Sequence, residues 1–350
     1  MTTQPSTPQM TEIILPGVVE PEGLTLRRRS IPEPGKGQAV VKILATGVSF
    51  AEQSMRRGRY PAGQPNFPFV PGYDLVGDVT AVGPGVEPAL VGRRVAAVTK
   101  TGGWATHSLL DAHRLIPIDP TLDPSQVETV LVNGLTAWQM LHRKTRVRRG
   151  DTILVHGASG GVGTILAQLA RHADLHVVGT ASPRHHDSLR RLGVEPLDYH
   201  APDLIQRVRD LAPTGVAAAF DNIGGASFKR SFDLLARGGT LVGYGTISEI
   251  EGTGNPIVSF TRILSSFAAW NLLPNGRHAT FYNFWAGKTL QPNRVQQRLS
   301  EDLGQLLNLL SSGVIEPLIA GRYTLDQAPG ALRFAESRTA QGKVVILPTL

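Results

Sequence analysis

The sequence predicts an α/β protein, a doubly wound parallel sheet beside a β-rich portion. Three observations point to it. From about Val127 short apolar runs alternate with amphipathic helical patterns, whereas the first third reads as short strands cut by Gly/Pro turns. The length, 350 residues, suits roughly two ordinary domains, each able to bury a core.

Taken in order, Ala39 to Leu44, Leu75 to Val82 and Arg94 to Val98 are strand-like, with turns at Pro34-Gly35, Pro71-Gly72 and Pro84-Gly85. A strand expected over Thr152 to His156 leads into a helix expected over Gly161 to His172. The pattern continues with a strand at His176 to Gly179, helical stretches at Pro183 to Leu192 and Asp203 to Leu211, and a strand at Val216 to Phe220. A helical stretch at Ala226 to Leu235 and a strand at Gly239 to Gly243 complete the series. Such alternation with short connections implies parallel strands covered on both faces, and right-handed crossovers make the sheet doubly wound. Leu299 to Leu310 and Gln327 to Glu336 carry helical patterns. Lys343 to Leu347 is a closing strand expected to pair back with the β-rich first third.

Composition removes several classes. Charged residues are 18% and apolar ones 41%, a globular balance. No apolar stretch approaches the roughly 18 residues of a membrane span. Met1 to Met10 is Thr/Gln/Pro-rich with no apolar segment, so no secretory signal is expected and the location is read as cytoplasmic. There is no cysteine, which removes disulfides, iron–sulfur clusters, thiolate zinc sites and Cys nucleophiles together. The net charge is +7, and His142 to Arg149 is a basic run. It lacks interleaved aromatics for base stacking, and cations are favoured at a helix C-terminus, so it reads as a solvated helix end, not a nucleic-acid site.

The strongest motif is Ile153-Leu154-Val155-His156-Gly157-Ala158-Ser159-Gly160-Gly161-Val162-Gly163. An apolar strand runs into a Gly-rich turn that opens a helix. Backbone N–H groups in such a turn can approach a pyrophosphate resting on the positive helix terminus, so Ala158, Ser159, Gly160, Gly161, Val162 and Gly163 are expected to bind a dinucleotide. A rival motif overlaps it: Gly157-Ala158-Ser159-Gly160-Gly161 also fits the nucleophile elbow of a serine hydrolase. That reading needs Ser159 with a later acid and histidine, such as Asp221 and His278.

The end of the second strand selects the cofactor. An NAD site usually carries Asp or Glu there for the ribose 2′-hydroxyl. Val178 to His186 holds no carboxylate; Thr180, Ser182, Arg184 and histidines stand in its place. A hydroxyl and cations can donate to a 2′-phosphate that an acid would repel, so the expected cofactor is NADPH.

Together these segments resemble the medium-chain dehydrogenase/reductase superfamily, and within it the zinc-free quinone oxidoreductase branch. The resemblance rests on Phe69-Val70-Pro71-Gly72-Tyr73-Asp74-Leu75-Val76-Gly77, Gly92-Arg93-Arg94-Val95, Asn133-Gly134-Leu135-Thr136-Ala137-Trp138, the glycine cluster, and Gln341-Gly342-Lys343-Val344-Val345-Ile346. It extends from about Gly47 to Leu347, and its nearest flavours are ζ-crystallin-type quinone reductases and the vesicle amine transport protein group. It implies a GroES-like β domain, here 1–127 with 292–350, around a Rossmann domain, 128–291. It also implies an active-site cleft between them and a homodimer. The resemblance further implies cofactor contacts at Ser49, Tyr60, Asn133, Thr136, Tyr199 and Asn222, and along Tyr244, Gly245, Thr246 and Ile247. Zinc relatives carry Cys where this chain has Ser49 and His where it has Tyr73, so no zinc is expected.

Without a metal to polarise a carbonyl, the substrate itself must stabilise an added hydride. Quinones and conjugated carbonyls do so, because charge moves from the attacked β-carbon to oxygen. A proton must then come from the chain or from solvent, and Tyr60 in Gly58-Arg59-Tyr60-Pro61 is the candidate acid, at the place where related enoyl reductases carry a Tyr. Residues 255–288 crowd Phe260, Phe267, Trp270, Phe281, Tyr282, Phe284 and Trp285. Two readings stay open for them: Phe267 and Trp270 line a pocket for an apolar or aromatic conjugated carbonyl, or the cluster is core or interface packing. The expected function is an NADPH-dependent quinone or enone reductase. The alternatives are a non-catalytic NADPH-binding interaction protein and a serine hydrolase using Ser159.

Overall fold

In the computed structural model, which describes residues 8–61, 63–248, 252 and 254–348, the alternating segment builds a six-stranded sheet. Its spatial order is Val194–Asp198, His176–Ala181, Thr152–His156, Val216–Asp221, Leu235–Gly243 and His278–Phe281. Every pairing is parallel. The chain starts in the middle, winds outward one way, then returns to wind the other way. The reversal lies between Thr152–His156 and Val216–Asp221, and the carboxyl ends of strands at such a switch point form a ligand crevice.

Two strands of this sheet escape the sequence pattern. Val194–Asp198 contains Pro196, which a central strand would not tolerate; at the sheet's edge, opposite Gly179, the missing N–H costs no ladder bond. His278–Phe281 has four residues, too short for period-two alternation to register. The sheet's core gathers Leu154, Ala219, Leu241, Phe228 and Phe232, all nearly or fully buried.

The other sheet runs Ile319–Tyr323, Lys343–Ile346, Gln38–Val48, Asp74–Val82, Arg94–Val98 and Ile116–Pro117, with His107–Asp111 also paired to Gln38–Val48. Lys343–Ile346 lies antiparallel to Thr46–Val48, so the chain's last strand does return to the first third, as its pattern predicts. A separate hairpin, Gln9–Ile14 with Thr25–Ser30, seats Met10 in the sheet's core and Ile13 against the adjoining cluster around Trp104, Leu332 and Val344. Trp104 is fully buried and donates its indole N–H to the Gly47 carbonyl at 2.9 Å. The GroES-like sheet and the parallel nucleotide-type sheet are the α/β architecture expected from sequence.

The chain divides into two units: the described residues of 1–60, 64–132 and 319–350 form one, and those of 61–63 and 133–318 the other. The sequence reading drew these lines at 127/128 and 291/292. The first division falls inside a continuous helix, Pro124–Lys144, where helical periodicity gives no mark of a change in packing partner. The second is corrected by helix Pro292–Ser311, which belongs with the parallel sheet. Its Asp302, 2% exposed, accepts from Gln139 at 2.7 Å and Arg143 at 2.6 Å. Among the described residues no helix is long and apolar enough to cross a membrane.

Candidate functional site

The glycine turn is built by close approach. Gly157 has φ of 64°, a left-handed conformation that a side chain would strain. Helix Gly161–His172 opens at Gly160 without a side-chain cap. A Cβ on Gly163 would come within 2.4 Å of the Gly157 carbonyl oxygen and 2.7 Å of Ala158 Cα, so only hydrogen fits there. The result is an uncapped helix N-terminus held tight against a strand end, with its dipole facing outward and no acidic side chain in the first turn. Asn133 leans on this turn, its Nδ2 2.3 Å from where a Gly161 Cβ would stand. Thr136, like Asn133, is buried on helix Pro124–Lys144.

Neighbouring strand ends converge on the same place. The Asn222 side-chain Nδ2 lies 3.0 Å from where a Gly157 Cβ would stand, and the Asn222 backbone carbonyl accepts from the Ile247 amide at 3.2 Å. Asn222 Oδ1 is buried with no partner among the described residues, an acceptor awaiting a donor. Tyr244 donates to the His156 carbonyl at 3.4 Å, and burial followed by the nearby Asp221 charge pushes its phenol above the ordinary range. Thr246 is buried beside it in sequence, and Gly245 packs on Asn222.

Beneath the turn lies a closed polar network. His156 shares hydrogen bonds with Thr180 Oγ1 and Ser231 Oγ, both at 3.0 Å. Asp221 accepts from Ser227 and Ser231 at 2.7 Å and from the Ile223 amide at 2.8 Å. Burial holds His156 below the usual imidazole value, with Asp221 opposing. Thr180, 1% exposed, is thus turned into the core, and its side chain is spoken for. The network also answers the hydrolase pattern. The histidine beside Asp221 is His156, at 3.8 Å, while His278 sits exposed on the edge strand, so Ser159 gains no acid–histidine pair of the expected residues.

After strand His176–Ala181 the chain presents Ser182 and Arg184, joined by a 3.2 Å hydrogen bond from Arg184 Nε to Ser182 Oγ. The next residue, His185, is buried, with Nε2 unpartnered among the described residues. Burial first, then the charges of Arg184 and His186, lower its pKa. Tyr199 is 45% exposed and rests on His200, past the end of the outer strand.

The GroES-like unit carries a polar cluster of its own. Ser49 caps helix Phe50–Arg56 in a reciprocal box with Glu52. Glu52 is buried; it accepts from the Ser49 amide at 2.8 Å, closely from the Ser49 hydroxyl, and from the Tyr73 amide at 2.6 Å. Burial, then nearby Asp74, raises its pKa. Tyr60, half-buried, meets Tyr73 hydroxyl to hydroxyl at 2.8 Å, and Lys100 lies over its ring at 5.7 Å. Behind stands a buried ion cluster: Lys343 Nζ is 2.8 Å from Asp74 and 2.6 Å from Glu128.

Two of the expected residues remain. Phe267 is 4% exposed, edge-on to Phe228 at 5.1 Å, and Trp270 stacks on Phe232 at 5.1 Å. Phe267 lies in the core of the parallel-sheet unit and half-buried Trp270 packs against it, because helix Pro256–Asn271 lays both on the sheet, which favours the packing reading of these two.

Comparison with known proteins follows this geometry. Residues 35–120 match the family model for the alcohol dehydrogenase GroES-like domain, and 192–346 that for zinc-binding dehydrogenase. The human synaptic vesicle membrane protein VAT-1 homolog is 29% identical over 339 residues, covering 93% of this chain and 82% of its own. The 2-haloacrylate reductase of a Burkholderia species is 29% identical over 337 residues, 94% of this chain and 96% of its own. The solved structure of mycobacterial Rv1454c complexed with NADPH is 31% identical, with a TM-score of 0.81 over 97% of this chain and all of that one. The chain belongs to the quinone oxidoreductase branch of the medium-chain dehydrogenase/reductase superfamily.

Within that superfamily the zinc in one family model's name does not fit this member's donors. The chain has no cysteine, the Ser49 hydroxyl is bound to Glu52, and the Tyr73 hydroxyl to Tyr60. Among the described residues no three His, Asp or Glu side chains gather as a metal site. Sequence reasoning missed Glu52, Lys100 and the Lys343 cluster. Glu52 had a signal, the Ser-x-x-Glu capping pattern from Ser49. Lys100 had none, because only its φ of 74° and its place over Tyr60 single it out.

Proposed function

We propose that this chain is an NADPH-dependent reductase of quinones or α,β-unsaturated carbonyl compounds. The observation that carries the reading is the switch-point turn. An uncapped helix N-terminus, a glycine that admits no side chain, and an unpartnered Asn222 acceptor stand together where a dinucleotide would lie. Its NADPH-bound mycobacterial relative supports the choice of cofactor, as does the Ser182–Arg184 pair standing where a carboxylate would select NAD.

In this reading the backbone from Ala158 to Gly163 would hold the pyrophosphate, and Ser182 and Arg184 the 2′-phosphate. Asn222 and Tyr244 to Ile247 would hold the nicotinamide end, with Asn133 and Thr136 supporting the turn and Tyr199 near the adenine ribose. Ser49 would offer the cofactor only an acceptor, since its own proton goes to Glu52. The chemistry a bound NADPH would supply is a hydride for the β-carbon of a conjugated carbonyl. Tyr60 holds the proton that completes the reduction, on an oxygen kept in place by Tyr73. The same reading carries a homodimer and a cytoplasmic location; light scattering tests the first.

A steady-state screen of NADPH oxidation against quinones, cyclic enones and enoyl thioesters tests the proposal. Turnover with at least one class is expected, and a Tyr60→Phe variant should lose about 100-fold or more on the enones. Tight NADPH binding with no turnover across the panel would favour the interaction-protein reading instead. Labelling of Ser159 by a fluorophosphonate would revive the hydrolase.

A further inference from the structure

We propose that Tyr73 is a positioning residue for Tyr60, and that with Lys100 it stabilises the phenolate Tyr60 becomes on releasing its proton. The inference rests on the reading that Tyr60 is the acid. A phenol that donates its proton to a substrate must point its O–H away from Tyr73, so the 2.8 Å hydrogen bond between the two hydroxyls then runs from Tyr73 to Tyr60. That bond strengthens when its acceptor becomes an anion, because charge-assisted hydrogen bonds are roughly twice as strong as neutral ones. The stabilisation therefore appears where charge develops during the reaction.

Tyr73 is fixed to do this. It is 4% exposed, its ring meets the Tyr60 ring edge-on at 79°, and both its backbone polar groups are tied. The amide donates to Glu52 at 2.6 Å, and the carbonyl accepts from Thr99 at 2.8 Å and Lys100 at 3.1 Å. The last bond also fixes Lys100, a non-glycine residue held at φ of 74°. Such a conformation is sparsely populated and persists where the surroundings over-determine it, as they do at functional sites. The effect is to hold the Lys100 ammonium over the Tyr60 ring. Burial pulls the Lys100 pKa down, so an anion forming beside it restores stabilisation that water supplies less of here. Tyr73 and Lys100 face Tyr60; behind Tyr73 stand the carboxyls of Glu52, Asp74 and Glu128 with the one ammonium of Lys343, and burial favours the neutral acid at Glu52 and Glu128. The proton step balances simply: the Tyr60 O–H breaks as a proton passes to the reduced substrate, the phenolate forms under Tyr73 and Lys100, and water returns the proton.

The experiment isolates the ionisation of Tyr60 without needing a substrate. Ultraviolet tyrosinate absorbance is titrated from about pH 7 to 11 in the full-length protein and in Tyr60→Phe, and the difference between them is the Tyr60 curve. The same difference is taken in Tyr73→Phe and Lys100→Met backgrounds. The Tyr60 midpoint should move up by about one pH unit or more in each. The alkaline limb of enone turnover, where an acid loses its proton, should move the same way, with the KM for NADPH unchanged. Unmoved midpoints in both backgrounds overturn the proposal even if Tyr60→Phe is inactive. Should Tyr73→Phe fail to fold, the Lys100→Met titration alone decides it by the same criterion. A Tyr60→Phe variant that keeps full enone turnover defeats the acid reading itself, and that outcome is separate from the titration.

Discussion

Replacing Lys343 by Met tests whether the buried ion cluster holds the GroES-like unit together. The substitution keeps most of the side-chain volume and removes the charge. Lys343 is 1% exposed, and its ammonium lies 2.8 Å from Asp74 and 2.6 Å from Glu128, both fully buried. Burial works against the charge on Lys343, but the two carboxyls outweigh it and hold its pKa above the ordinary value. Glu128 is raised well above the carboxylate range, by burial first and against the pull of Lys343, so it takes a proton most readily. Removing one partner of a buried ion pair costs about 3–5 kcal/mol. For a unit of this size that is roughly 6 to 20 °C in apparent melting temperature.

The sign of the pH dependence follows from the raised carboxyl. A group whose folded pKa stands above its unfolded value stabilises the fold at low pH, and loses that contribution as pH rises through the folded pKa. Without Lys343, Glu128 loses the cation that pulls its pKa down and binds its proton more tightly still when folded. The deficit of Lys343→Met against the parent should therefore be smaller near about pH 5 and widen toward about pH 8. Thermal unfolding by circular dichroism at both pH values measures it. An unchanged melting temperature, or a deficit as large in acid as at about pH 8, would refute the reasoning.

Three further outcomes are expected. Gly163→Ala forces a methyl to within 2.4 Å of the Gly157 carbonyl, so the turn must open. It should cost about 1–3 kcal/mol of stability and weaken NADPH at least about tenfold by calorimetry; unaltered binding would show that the turn is not the nucleotide seat. Arg184→Ala should weaken NADPH by about tenfold or more while leaving NADH within about twofold, since only the 2′-phosphate is lost as a partner; equal losses would contradict that role. Phe267→Ala, emptying a core position, should destabilise by about 3–5 kcal/mol without raising the KM of any substrate. A raised KM with little loss of stability would return Phe267 to a pocket.

Much of the doubly wound unit was legible because each of its central strands is a short apolar run followed by an amphipathic helix. Helix Gly161–His172 is opened in the sequence by its own glycines and emerges with the expected bounds. The edges were not legible, because an edge strand may hold a proline, as Val194–Asp198 does, or be too short to alternate, as His278–Phe281 is. The aromatic cluster was ambiguous for a related reason. Phe267 and Trp270 are the residues that either a pocket or a helix–sheet core would use, and only their ring contacts with Phe228 and Phe232 separate the two. At the site, local motifs were readable and long-range ones were not. Lys343 and Asp74 lie 269 residues apart, and no spacing rule connects them. Thr180 shows the opposite limit: its position at a strand end is a sequence fact, but the turn of its hydroxyl toward His156 is set by packing.

The most direct test of the reductase assignment follows the hydrogen itself. NADPH carrying deuterium at the transferable C4 position is incubated with the protein and cyclohex-2-enone, 9,10-phenanthrenequinone and crotonyl-CoA in turn, and the products are read by mass spectrometry and NMR. One deuterium is expected at the β-carbon of a reduced enone or enoyl thioester, or stoichiometric oxidation of the cofactor with quinone reduction. Saturating NADPH binding with neither label transfer nor cofactor oxidation toward any of the three would contradict it.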